Sequence, residues 1–251
     1  MVGILKLKNK YVLVTGASTG IGRAIAIEFA KEGACVALTA RTEDRLSETK
    51  RLIEKAGGKA KVFVADLSEL ASTNALIEKV RGDTKHVDVI VNVAGVWHDQ
   101  GKVFASNSFE SFSQPEILKT LSVGITAPTL IVHGLLPLMT AGSKILNISG
   151  KFSHGAKNQL PYYLSKKAIE DLTVGLSEEL TDRKIQVNCI SPSDTDTESY
   201  NKYYPRCDEV KMKPEEIAQH AMFLCSNDAD NITGKVFVMI AGKKPYEAFH
   251  A

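Results

Sequence analysis

Seven short runs rich in β-branched residues recur along this chain, separated by stretches with helical spacing. The runs are YVLVT (11–15), CVALTA (35–40), KVFVA (61–65), VDVIVNV (87–93), KILNIS (144–149), IQVNCI (185–190) and KVFVMI (235–240). Most are apolar throughout instead of alternating with polar residues, as expected of strands covered on both faces. The segments between them include IGRAIAIEFAKEG (21–33) and PEEIAQHAMFLCS (214–226), which read as amphipathic helices. Such alternation predicts an α/β fold: a doubly wound parallel sheet of about seven strands with helices on both faces. No repeat, low-complexity tract or linker interrupts it, so residues 1–251 read as a single domain.

At 251 residues and 44% hydrophobic content, the chain can bury a large core without disulfides or metals. Its cysteines, Cys35, Cys189, Cys207 and Cys225, are far apart and show neither CxxC spacing nor a nearby histidine cluster. No zinc site is expected, and reduced thiols in a cytoplasmic protein are the better reading. A net charge of +2 is too mild to argue for nucleic acid or a membrane surface. The opening MVGILKLKNK is too short an apolar run for a signal peptide, and no stretch is expected to span a membrane.

Two segments break the alternation. Residues 96–114 carry Trp97, His98, Phe104, Phe109 and Phe112, and residues 194–213 carry Tyr200, Tyr203 and Tyr204. Each leaves the carboxyl end of a predicted strand, where α/β proteins bind ligands, so both are expected to wall a substrate pocket.

The first strand runs directly into TGASTGIG: Thr15, Gly16, Ala17, Ser18, Thr19, Gly20, Ile21 and Gly22. A glycine-rich turn between a buried strand and a helix lets backbone N–H groups approach a pyrophosphate and aims the helix N-terminus at it. With a second strand ending near residue 40, the three elements form one βαβ unit, the context that makes such a turn a dinucleotide site.

A second motif is YYLSKK (162–167), directly after Pro161, where two tyrosines are each followed four places on by a lysine. Pro161 suits a helix entry, and Leu164, Ala168, Leu172, Gly175 and Leu176 fall on one side of the helix, predicting its buried stripe. Tyr162 and Lys166 lie at the edge of that stripe, from which they can face the ligand crevice. Tyr163 and Lys167 lie nearly opposite, near Glu170, and are expected to face solvent or a partner subunit.

These motifs, in this order, resemble the short-chain dehydrogenase/reductase family over roughly residues 9–242, in its shorter, classical form with a Rossmann-type fold. TGASTGIG is similar to the family's TGxxxGxG, which implies pyrophosphate binding by Gly16, Ser18, Thr19, Gly20, Ile21 and Gly22. VADL resembles the segment that holds the adenine, with Asp66 and Leu67 at the matching places. Asn92, Val93, Ala94 and Gly95 resemble NNAG, with valine in place of the second asparagine. Members using NAD carry an acid at the end of the second strand; here Ala40 stands there, followed by Arg41 and Thr42. A guanidinium with no competing carboxylate suits a 2′-phosphate, so the cofactor expected is NADP(H) rather than NAD(H), with Ser18 as a further donor.

YYLSKK resembles the family's Tyr-x-x-x-Lys in the register Tyr162–Lys166, because Ser165 and Ala168 fit only that way. The resemblance implies that Tyr162 is the general acid/base and that Lys166 lowers its pKa and holds the nicotinamide ribose. The carbonyl-binding serine lies about thirteen residues earlier, at Ser149. Aligning ILNISG instead on NISS puts Gly150 in that slot, and Ser153 is a third candidate. Where many members have an asparagine in a proton relay, Gly124 stands. SPSDTDT (191–197) resembles the stretch covering the nicotinamide, implying contacts from Pro192, Thr195 and Thr197. His98 and His154 fall in pocket loops, whereas His133 reads as a packed helix residue.

The family implies hydride transfer between nicotinamide and a carbonyl or secondary alcohol by a homodimer or homotetramer. The alternative is a dinucleotide-binding regulator or scaffold with reduced or lost turnover, suggested by Gly124 and the ambiguous serine.

Overall fold

Strand β1 (Tyr11–Thr15) lies in the interior of the main sheet: all five residues are buried, and every side chain finds cover on one face or the other. The computed structural model describes residues 5–99, 101–206 and 210–250; Cys207 lies outside them. After β1 come α1 (Gly20–Lys31), β2 (Cys35–Ala40), α2 (Glu43–Lys55), β3 (Lys59–Val64), α3 (Leu70–Asp83) and β4 (Val89–Asn92). A small hairpin follows, β5 (His98–Asp99) and β6 (Lys102–Val103), then α4 (Gln114–Leu121) and α5 (Ala127–Leu135). The second half contains β7 (Lys144–Ile148), α6 (Leu160–Glu179), β8 (Gln186–Pro192), α7 (Glu198–Tyr203), α8 (Pro214–Cys225), β9 (Val236–Met239) and β10 (Tyr246–Glu247).

The main sheet has the order β10-β9-β8-β7-β4-β1-β2-β3, parallel throughout except for β10 on β9. The expected doubly wound sheet is therefore present, with an eighth, antiparallel edge strand of two residues. Chain direction across the sheet reverses between β1 and β4, so the crevice beyond their carboxyl ends is the ligand position of this topology. Two apolar layers sandwich the sheet. One contains Ile25, Phe29, Leu46, Ile53 and Met222 from α1, α2 and α8. The other contains Leu76, Phe104, Phe112, Ile131 and Leu135, beneath α3 and α5.

Three expectations are corrected. Gln114–Leu138 forms one helical run that is long and apolar enough to cross a membrane by length and composition alone. In this fold it carries Val123, Ala127, Ile131, Val132 and Leu135 into the core. His133 is exposed on α5, not packed.

The third correction concerns α6, whose buried face is the polar one: Ser165, Lys166, Lys167, Glu170, Thr173 and Ser177, with Ile169. Leu164, from the predicted buried stripe, is 47% exposed. The helix can bury hydroxyls because Ser165, Thr173 and Ser177 each donate to a carbonyl of their own helix. Lys167 and Glu170 are buried as well, paired at 3.4 Å, with Lys167 also over the Phe152 and Tyr163 rings. The C-terminal segment covers them, the His250 N–H donating to Glu170 Oε2 at 2.9 Å.

Candidate active site

One cavity of about 1070 Å³ opens over the carboxyl ends of β1, β4 and β7. Its walls include Gly16, Ser18, Thr19, Gly20, Ile21, Gly22, Arg41, Thr42, Asp66, Leu67, Ala94 and Gly95. Ser149, Tyr162, Lys166, Pro192, Thr195 and Thr197 complete the set, so residues from positions 16 to 197 meet in one crevice.

Asn92 is the predicted cofactor residue outside this wall. Its side chain is buried in the sheet, where Nδ2 donates to Asn147 Oδ1 at 2.9 Å and ties β4 to β7. Asn147 in turn donates to Thr173 Oγ1 on α6. Val93 lines the cavity instead.

The glycine-rich turn is held by contacts that leave no room for side chains. A Cβ on Gly22 would lie 2.2 Å from the Gly16 carbonyl oxygen. Gly16 itself has φ +65° and sits against the backbone of Ala94 across the crevice. Thr15 Oγ1 accepts the N–H groups of Val93 and Ala94 at 3.0 and 3.2 Å, stapling the two lips together. The result is a backbone cradle at the N-terminus of α1, which fits a pyrophosphate. Beside it, Arg41 and Thr42 are joined by Arg45, one helical turn on, and Ala40 contributes no charge. Arg45 was missed by sequence reasoning, although its spacing of four from Arg41 was readable. Asp66 is partly buried, which opposes its ionisation. The Ser68 hydroxyl and N–H donated to Asp66 Oδ1, with Arg41 nearby, more than offset this and hold its pKa below the usual value.

At the other end, Tyr162 and Lys166 face the cavity, while Tyr163 and Lys167 are not among its lining residues. Lys166 Nζ donates to the Ile148 carbonyl at 2.7 Å and lies 3.1 Å from where a Cβ on Gly95 would be. A side chain at position 95 would crowd this ammonium, which would have to give by a few tenths of an ångström. Burial pushes the Lys166 pKa down to about 8. Burial, and then the charge of Asp194, push that of Tyr162 above the ordinary phenol value. Desolvation thus outweighs the lowering expected from the lysine.

Ser149 Oγ lies 2.9 Å from the Lys166 carbonyl oxygen and 2.5 Å from Glu170 Oε1, turning the hydroxyl toward α6. At Gly150 a Cβ would instead approach the Phe152 ring and the Lys166 chain, beside Tyr162. Gly124 has a steric explanation. A Cβ there would lie 2.5 Å from Ser165 Cβ, so α6 packs too closely to admit an asparagine. The surrounding Ser122–Thr126 turn is π-helical.

The aromatic loops divide. Phe104 and Phe112 pack edge to face in the core, 5.7 Å apart, whereas Trp97, His98, Tyr200 and Tyr204 line the cavity. His154 does so too, with Lys151, Phe152, Ser153 and Lys157.

Comparison with known proteins agrees with this architecture. The short chain dehydrogenase family profile matches residues 10–207. The uncharacterized oxidoreductase YgfF of Escherichia coli is 33% identical, over 92% of this chain and 98% of its own. The 3-oxoacyl-(acyl-carrier-protein) reductase FabG of Thermotoga maritima is 27% identical, over 95% and 99%. Among solved structures, the landomycin C-6 ketoreductase LanV with bound NADP and rabelomycin is 34% identical. It superimposes with a TM-score of 0.81, over 93% of this chain and 95% of LanV.

Proposed function

The chain belongs to the short-chain dehydrogenase family, and on that premise we propose that it is an NADP(H)-dependent reductase or dehydrogenase of a carbonyl or secondary alcohol. The observation that carries this reading is the convergence of Tyr162, Lys166 and a side-chain-free backbone cradle in one cavity. When bound, the dinucleotide supplies or accepts a hydride at the substrate carbon. The α1 N-terminus and the turn at Gly16–Gly22 would hold its pyrophosphate, Asp66 and Leu67 its adenine, and Arg41 with Thr42 and Arg45 a 2′-phosphate. Support for the phosphate comes from two guanidinium groups beside Ala40 and from NADP-bound relatives such as LanV.

Tyr162 would deliver the proton to the developing alkoxide, or remove it in the reverse direction. A phenol kept protonated by burial is suited to the reductive direction. Lys166, anchored by the Ile148 carbonyl, would hold the ribose and place positive charge near the phenol. Ser149 can clamp a carbonyl only after its hydroxyl swings away from Glu170 and the Lys166 carbonyl, since it has a single proton to donate. Thr195 and Thr197 would cover the nicotinamide.

The exposed side of α4 and α6, where Leu118 and Leu164 are 64% and 47% exposed, supports assembly as a homodimer or homotetramer. Sedimentation would measure this directly.

The test is NADPH oxidation against a carbonyl panel. Tyr162→Phe should lose turnover by at least about a hundredfold and Tyr163→Phe should keep it. Arg41→Ser should weaken NADPH binding about tenfold or more and leave NADH binding unchanged. NADPH binding with no turnover on any carbonyl would favour a dinucleotide-binding regulator.

A further inference from the structure

The loops that close the substrate end contribute no leucine, isoleucine or methionine to the cavity wall among the described residues. Their large apolar contributions are rings. Phe152 is held edge-on against Tyr162 (centroids 5.7 Å apart, planes at 65°) and Tyr163 (5.0 Å), so its position beside the phenol is fixed from two sides. From the other two loops come Trp97, Tyr200 and Tyr204. Trp97 and Tyr204 are nearly parallel, at 16° with centroids 6.3 Å apart, and Tyr200 leans on Tyr204 at 5.1 Å. His98 and Tyr203 brace Trp97 edge-on at 4.5 and 5.6 Å.

From this we infer that the substrate carries a flat aromatic ring system next to its reacting carbonyl, a deepening that rests on the oxidoreductase reading above. Rings already locked by one another lose little freedom when a ligand arrives, and they offer oriented faces and edges that a second ring can match. A saturated skeleton of equal size gains the burial but not the ring–ring term. Val96, Ala105, Val123 and Val210 add aliphatic surface, with Ile148 and Ile240 from the ends of β7 and β9. Of the lysines lining this end, Lys157 is exposed and Lys151 partly so, so solvent screens them and they contribute little selectivity.

The test uses enzyme saturated with NADP⁺, in which a ketone can bind but has no hydride to accept. Calorimetric titration would compare 1-tetralone with 1-decalone, the same bicyclic ketone with and without an aromatic ring. Tetralone should bind about tenfold tighter. Tyr204→Leu and Phe152→Leu, which keep apolar bulk, should each bring that ratio to within about twofold. Circular dichroism would verify that both variants fold. Equal affinities in the unaltered enzyme, a ratio unchanged in both variants, or no binding of either ketone would overturn the inference. A separate assay of NADPH oxidation by tetralone keeps the two ideas apart. Selective binding without turnover would sink the oxidoreductase reading while leaving ring selectivity standing, and turnover without selectivity would do the reverse.

Discussion

The two ends of the crevice are built from different materials. At the cofactor end the wall is mostly backbone: a turn of eight residues, the start of α1 and the lip of β4, packed so closely that side chains are excluded at Gly16 and Gly22. At the substrate end the wall is side chains from residues 96–106, 150–159 and 194–204 with Val210; ring contacts hold the first and third segments to each other, and Phe152 of the second to Tyr162 and Tyr163 on α6. A backbone surface recognises what its ligands share, which is phosphate. A side-chain surface recognises what distinguishes one ligand from another. The same protein thus keeps a general site and a particular one within a single cavity.

If that contrast holds, the cofactor end should tolerate almost no added atom. Gly22→Ala adds one methyl group inside a helix, where alanine is otherwise favoured by about 1 kcal/mol. Here the new Cβ would lie 2.2 Å from the Gly16 carbonyl oxygen, so the turn must open. The expected outcome is a loss of NADPH affinity of about a hundredfold or more, with destabilisation of about 1–3 kcal/mol. Fluorescence titration and urea unfolding would measure the two. Gly57→Ala gives no matching test of space, because φ +82° strains it whatever its surroundings; Gly82→Ala in α3, with nothing within 4 Å, is the proper control and should leave NADPH affinity unchanged and stability equal or higher by up to about 1 kcal/mol.

Between the two ends lies Lys166, and its burial predicts a pH signature. Its pKa in the fold is about 8, against 10.5 for the free side chain, because desolvation disfavours the ammonium. Between those values the unfolded chain binds more protons than the folded one, so this group adds stability as pH rises. At and below neutral pH the fold carries the full cost, on the order of 3 kcal/mol. Lys166→Met should therefore stabilise the cofactor-free protein at pH 7, and the advantage should shrink steadily from pH 8 to 10.5. Urea unfolding at several pH values would check this; a gap independent of pH would mean that the ammonium is better solvated than its surroundings suggest.

The division also explains what the sequence could tell. The strand bounds at 11–15 and 35–40 were readable to the residue, because continuous β-branched runs admit few other structures. TGASTGIG was readable because backbone shape depends on glycine placement, which is a local property. The two-residue strands β5, β6 and β10 carry too few side chains for any period to show. On α6 the hydrophobic pattern pointed the wrong way, since hydroxyls bonded to their own helix, together with a covered Lys167–Glu170 pair, can occupy a buried face. The direction of the Ser149 hydroxyl is set by Glu170, twenty-one residues on. Phe104 and Trp97 stand in the same aromatic loop, yet one enters the core and the other the cavity. Local spacing could not separate them, because the separation is made by what each ring meets across the fold.

The smallest expected effect falls where the two ends touch. Thr197, just before α7, packs its methyl group onto Gly20, where a Cβ would come within 2.9 Å of it. Arg23 on α1 donates to the Ser18 carbonyl and to Glu198 Oε1 on α7, both at 2.6 Å. One guanidinium therefore joins the phosphate turn to α7. Glu198 is 60% exposed, which limits the pair to less than about 1 kcal/mol. Glu198→Gln should leave unfolding unchanged within about 0.5 kcal/mol. It should nevertheless speed NADPH release about two- to fivefold, because separating α7 from the phosphate turn then breaks one ion pair fewer. Stopped-flow displacement at rising salt is the decisive form of the measurement. The unaltered protein should release faster as salt screens the pair, and the variant should show a flatter response. Identical rates and identical salt dependence would mean that α7 does not hold the phosphate turn, and that the two halves of the cavity work independently.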